Sequence, residues 1–187
     1  MCLDILKDPA KALLAARKKT DMRKTFIALV ESSIIFAVAS AVMASRIGVS
    51  AGLILASLVL AFVAVWVITF LLGLIVHISA YTLTSKGKYH DGLTPVVYGM
   101  LHISVGFLAA SILSWIPFST GVQIIVLALM LASGVSTIYR GIKELYRTDM
   151  VTALVVVSIS VLVIFLAVYA SVGLTMLNRF AVLGMMA

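Results

Sequence analysis

Between Ala51 and Leu83 the chain carries no Asp, Glu, Lys or Arg. As a helix rising 1.5 Å per residue, that segment is about 50 Å long, against a hydrocarbon core of roughly 30 Å. A water-soluble fold could hide such a run only among equally apolar neighbours, and the chain has nothing else to offer. It is 63% hydrophobic and 11% charged, whereas soluble domains carry roughly 25% charged residues. Lipid is therefore part of the solvent, and the sequence predicts an all-α, polytopic integral membrane protein. The surplus length of this segment has to be absorbed by tilt, by a kink near Gly73 or by projection into water.

Five runs are long enough to cross, at about 20 residues per crossing: 25–45, 51–83, 93–115, 122–138 and 150–176. Arg46, Gly48 and Ser50 separate the first two. The stretch from Tyr81 to Gly99 separates the second from the third, with Gly87 and Gly92 free to turn the chain. Pro117 to Gly121 leads into the fourth run, the shortest, and the charged segment Tyr139 to Asp149 leads out of it. The expected architecture is a five-helix transmembrane bundle over 25–176. A leader at 1–24 precedes it and a short tail at 177–187 follows.

Positive loops resist translocation, so lysine and arginine orient the bundle. Lys7, Lys11, Arg17, Lys18, Lys19, Arg23, Lys24, Lys86, Lys88, Arg140, Lys143 and Arg147 fall on one side, and only Arg46 and Arg179 on the other. Five crossings satisfy this split with a cytoplasmic amino terminus and a carboxyl terminus outside or in a lumen. The net charge of +7 then reflects topology and attraction to anionic lipids. No basic-aromatic platform suggests nucleic acid.

The leader is too charged for a cleavable signal, and the apolar run behind it is too long. Asp8-Pro9 reads as a helix start, with Asp8 the N-cap and Pro9 the first helical residue. Leu3, Leu6, Ala10, Leu13 and Leu14 recur at helical spacing, and Arg17 to Lys19 sit at the helix end, where cations suit the dipole. This pattern predicts an interfacial amphipathic helix on anionic headgroups.

Ionisable groups inside apolar runs are costly and are functional candidates by default. Glu31 is the carboxylate well inside a run, about 9 Å beyond Thr25. His77 lies at a similar depth from the same face. The two are expected to meet as a hydrogen-bonded pair between the first two helices, with Ser32, Ser33 and Tyr81 nearby. His102 shares a face with Gly99, Gly106 and Ala110, which predicts close helix approach and a bond from His102 to a partner helix. Ser133, Gly134, Ser136 and Thr137 read as a packing patch.

Enzyme signatures are absent from the sequence. Ser85-Lys86-Gly87-Lys88 lacks the ending and context of a phosphate-binding loop, and there is no G-x-S-x-G or H-E-x-x-H. The single Cys2 excludes an internal disulfide and a multi-cysteine site. The three histidines, 13 and 12 residues apart, form no zinc motif. No catalytic residue, metal or cofactor is expected.

Ser85-Lys86-Gly87-Lys88-Tyr89, then Thr94 and Val96-Val97-Tyr98-Gly99, resemble the loop and helix entry of the Yip-domain family. That pattern is roughly G-G-K-G-x-[FY] followed by a polar residue and V-L-G-Y. The amino-terminal Asp8-Pro9 and the five spans fit the same layout. Here Ser85 stands where the pattern has glycine, and the last two letters of the helix entry are exchanged. The resemblance implies a small membrane protein of a family whose eukaryotic members act in vesicle traffic by binding GTPases and membrane partners, and this short chain is most similar to prokaryotic members. The expected role is a non-enzymatic membrane scaffold or interaction protein, membrane-organising or trafficking-like. Its partner face would be the leader, the loop residues Lys86, Gly87, Lys88, Tyr89, His90 and Asp91, and Arg140, Lys143 and Arg147. Two alternatives remain: a small transporter or channel using Glu31 and the intramembrane histidines, and an accessory subunit of a larger complex. Expected partners are the bilayer, anionic lipids at the cytoplasmic face, and a membrane protein or a second copy of the chain.

Overall fold

The computed structural model describes residues 2–18 and 22–163. Its elements are α1 (Cys2–Lys7), α2 (Pro9–Lys18), α3 (Met22–Arg46), α4 (Ala51–Thr84), α5 (Tyr89–Leu113) and α6 (Thr120–Leu145). A seventh helix, α7, is described over Met150–Val163. No strand occurs among the described residues. Helices α3 to α6 are each long and apolar enough to span a bilayer, so the chain is a polytopic helical membrane protein. The expected continuation of the last run to residue 176 and the tail at 177–187 lie outside the described residues.

Helix α5 is the axis of the bundle. It packs against α6, α3 and α4, and every residue from Gly92 to His102 is buried. It is also the least apolar of the four spanning helices, while α4, the most apolar, is mostly exposed. That inversion follows from the solvent. Lipid rewards apolar side chains on the outside, whereas helix contact inside rewards small residues and shape.

Glycines set the contacts. A Cβ on Gly99 would lie 2.8 Å from the Gly134 carbonyl oxygen, and one on Gly134 would lie 2.9 Å from that of Gly99. Further along the same seam, Gly106 meets Met130 and Gly141 meets Pro95. On the other side of α5, Gly92 sits 2.8 Å from the Gly73 carbonyl by the same measure. Gly92 was expected to turn the chain; it is instead inside α5, where its missing side chain admits α4. Gly73 likewise serves contact with Leu93 inside an unbroken 34-residue α4. The small-residue face at Gly99 and Gly106 is present as the sequence predicts.

Helix α6 continues seven residues past its apolar run, so Arg140, Lys143 and Glu144 lie on helix and not in a loop. Basic residues in a last turn complement the helix dipole, which favours this extension into water. The break is confined to Tyr146–Asp149. Asp149 then caps α7, accepting bonds from the Val151 and Thr152 amides at 3.0 and 3.2 Å.

The leader folds back onto the bundle. The Asp8 carboxylate accepts a bond from the Lys11 amide at 3.0 Å, with Pro9 opening α2, as the Asp8-Pro9 pair predicts. Leu13 is fully buried and Ile5 nearly so, both within the core, and Leu13 packs close to Gly141. Leu13 is thus covered by protein and not by headgroups, while Leu14 stays 44% exposed. Burying a leucine stabilises by about 2 kcal/mol relative to water, so Leu13 is one of the contacts that favour docking of α2.

Candidate functional site

The leader, the α4–α5 loop and the end of α6 converge at one end of the molecule, here termed the basic end. The loop is built around two left-handed residues. Ser85 ends α4 at φ 53°, its amide bonding the Tyr81 carbonyl at 2.7 Å. Gly87 has φ 93°, and any Cβ there would meet the Tyr146 ring. Tyr146 therefore sits directly against the loop. Lys88 precedes α5, and its amide donates to the Asp91 carboxylate at 2.7 Å, a charge-assisted cap.

Tyr146 joins these pieces to α4. Its hydroxyl and His77 Nδ1 form a hydrogen bond of 2.9 Å. Around His77, the Tyr89 ring packs edge-on at 6.1 Å and the Tyr81 ring tilts at 5.8 Å. The Tyr89 hydroxyl donates to the Phe70 carbonyl at 3.1 Å. Burial raises the Tyr146 phenol above its ordinary value of 10.0, and the nearby Asp91 charge adds to the shift. The phenol is thus neutral at physiological pH.

The expected Glu31–His77 pair does not form. Thr25 bonds Thr94 across α3 and α5 at 3.2 Å, and Gly92, two residues before Thr94, abuts His77. His77 therefore lies near the level of Thr25, and Glu31, six residues further along α3, is about 9 Å deeper. His77 bonds Tyr146, and Glu31 Oε2 is buried without a hydrogen-bond partner. Ser32 and Ser33 donate to the Leu29 carbonyl of their own helix at 2.9 and 2.7 Å, and the Tyr81 ring lies tilted beside His77. His102 is buried as expected, but its Nδ1 bonds the Tyr98 carbonyl of its own helix at 3.0 Å and not a partner helix.

Among the loop candidates, Lys86 and Lys88 are exposed, and His90 and Asp91 are half-buried. Arg140 is exposed on α6, Lys143 is half-buried, and Arg147 follows the helix at φ 51°. Sequence reading missed Tyr146, the Thr25–Thr94 bond and the Pro95–Gly141 contact. A signal existed for the last, because proline inside a helix forfeits a backbone bond and is retained where its ring packs well. Among the described residues no group of three His, Cys, Asp or Glu is placed to hold a metal. The basic end assembles charge, aromatic rings and a loop packed on Tyr146, which suit binding. Among the described residues there, no nucleophile is hydrogen-bonded to both a base and a group that orients that base.

Comparison with protein families decides the lineage: the Yip1 domain matches residues 3–172. The chain belongs to the Yip1-domain family. No curated protein and no solved structure gives a match. In this Yip1-domain chain the residues that carry the family pattern have structural roles. Gly87 admits Tyr146, Tyr89 packs on His77, and Thr94 to Gly99 form the buried entry of α5.

Proposed function

We propose that this Yip1-domain protein is a non-enzymatic membrane scaffold whose partner-binding face is the basic end, turned to the cytoplasm. The observation that carries this reading is the joining of three separate segments into one surface. Leu13 fastens the leader to α6 beside Gly141, and Tyr146 fastens the α4–α5 loop to the end of α6. Docking of these segments brings the backbones that carry Lys86, Lys88, Arg140 and Arg147 to one end, which lowers the ordering cost of binding a partner. The excess of cations on that face also suits anionic lipids.

The test is affinity capture of the full chain from its native membrane in mild detergent, with mass spectrometry of what co-elutes. Leu13→Asp, which releases the leader, is expected to lose the partners that wild type retains at least fivefold over a Phe118→Ser control on the opposite end. Identical partner lists for the two variants reject the basic end as the binding face.

A second reading, a small transporter, is favoured by one observation. Glu31 Oε2, Trp66 Nε1, Thr69 Oγ1 and Ser104 Oγ are buried without hydrogen-bond partners, and such groups in a membrane are costly unless hydrated or used. Proteoliposome flux of protons or monovalent cations, present in wild type and lost in Glu31→Gln, would establish it.

A further inference from the structure

Between α2 and the last two turns of α6 lies an open cleft of about 370 Å³. Its walls have two chemistries. Leu14 and Met150, 44% and 61% exposed, give an apolar side, and Arg140 and Lys143 give a cationic one. Neither cation has a hydrogen-bond or ion-pair partner among the described residues, whereas Glu144 at the same rim is engaged in an interaction of its own. The cleft also lies where α6 leaves its apolar run and α7 begins, the level at which a bilayer meets water.

Two unpartnered cations above an exposed apolar wall, at that level, match an amphiphile with an anionic head. We propose that this cleft binds one anionic phospholipid, its phosphate between Arg140 and Lys143 and its acyl chains along Leu14 and Met150. Basic pockets between membrane helices take lipid headgroups in this way. A free phosphate would satisfy the cations but leave Leu14 and Met150 uncovered, and a zwitterionic lipid would bring its own cation against Arg140. The site requires no protein partner, although it shares Arg140 with the proposed partner face. It turns a diffuse attraction to anionic lipid into one stoichiometric position.

Native mass spectrometry of the full chain, released from nonionic micelles containing equal phosphatidylglycerol and phosphatidylcholine, tests it. Wild type is expected to retain one phosphatidylglycerol in roughly tenfold preference. Arg140→Gln with Lys143→Gln is expected to abolish that preference. Lys86→Gln with Lys88→Gln removes the same charge from the same end and is expected to keep it. Met150→Gln, which spares both cations, is expected to weaken lipid retention severalfold, so the proposal stays testable should the double variant misfold. Equal loss in both charge variants would mean diffuse attraction and overturn the site. Displacement of the lipid by millimolar glycerol 3-phosphate would identify a free-phosphate site and overturn the lipid assignment. Absence of any wild-type preference would also overturn it.

Discussion

Ser85 occupies a position that glycine suits better. A side chain at φ 53° costs roughly 1 kcal/mol that glycine avoids. Ser85→Gly is therefore expected to raise the thermal midpoint in detergent by a few degrees, and an unchanged or lower midpoint would contradict the strain. Tyr146 gives a pH-dependent counterpart. Its folded pKa lies above the unfolded value of 10.0, so its contribution is complete below pH 10 and declines as the unfolded phenol ionises above it. The wild-type midpoint should fall more steeply than that of Tyr146→Phe between pH 9 and pH 11. Below pH 9 the variant should be less stable by about 1 kcal/mol, the value of one hydrogen bond. Of these residues the sequence displayed Gly87 and the Asp8-Pro9 start, because both act through local backbone preference. Tyr146 was hidden, since its role depends on contacts with α4 and the α4–α5 loop, dozens of residues away in the chain.

Helices in lipid gain little from apolar contact with one another, so close approach has to supply the association energy. At Gly99 and Gly134 the backbones of α5 and α6 meet directly, each glycine lying against the other's carbonyl oxygen. Gly99→Ala places a methyl group 2.8 Å from the Gly134 carbonyl oxygen and is expected to cost about 1–3 kcal/mol by overpacking. Gly121→Ala, in the open first turn of α6 with no atom within 4 Å, is the control, and it should be neutral or slightly stabilising. Equal effects on the thermal midpoint would mean that the two helices are held elsewhere. At this scale the sequence revealed the small-residue face of α5 through its helical period. It did not reveal the azimuth of α4. Counting residues from an apolar boundary gives depth only to within the helix overhang, which is why Glu31 and His77 seemed level when they are about two turns apart. The same limit made Gly92 look like a turn: a glycine beside polar residues reads alike whether it bends the chain or admits a neighbour.

At the scale of the whole molecule, the structure supplies helices and packing, and the charge asymmetry supplies a direction. All lysines and arginines of the α4–α5 loop and the α6 end lie at the end where the leader docks, while Arg46 lies at the other. Under the positive-inside rule, the orientation proposed above has the basic end in the cytoplasm. Cysteine accessibility measures this, provided the probe positions leave the packing intact. Gly87 is unsuitable, because any side chain there strikes Tyr146. Lys86, exposed in the same loop, and Phe118, fully exposed in the α5–α6 turn, are suitable. In a Cys2→Ser background, Phe118→Cys is expected to react with an impermeant maleimide added to intact cells. Lys86→Cys should react only after the membrane is opened. Labelling of Lys86→Cys from outside would invert the bundle, place the leader on the wrong side for a cytoplasmic partner, and remove the basis of the scaffold proposal. The lipid cleft would survive that result with its anionic ligand drawn from the opposite leaflet, since its charges and apolar wall do not depend on which way the chain inserts.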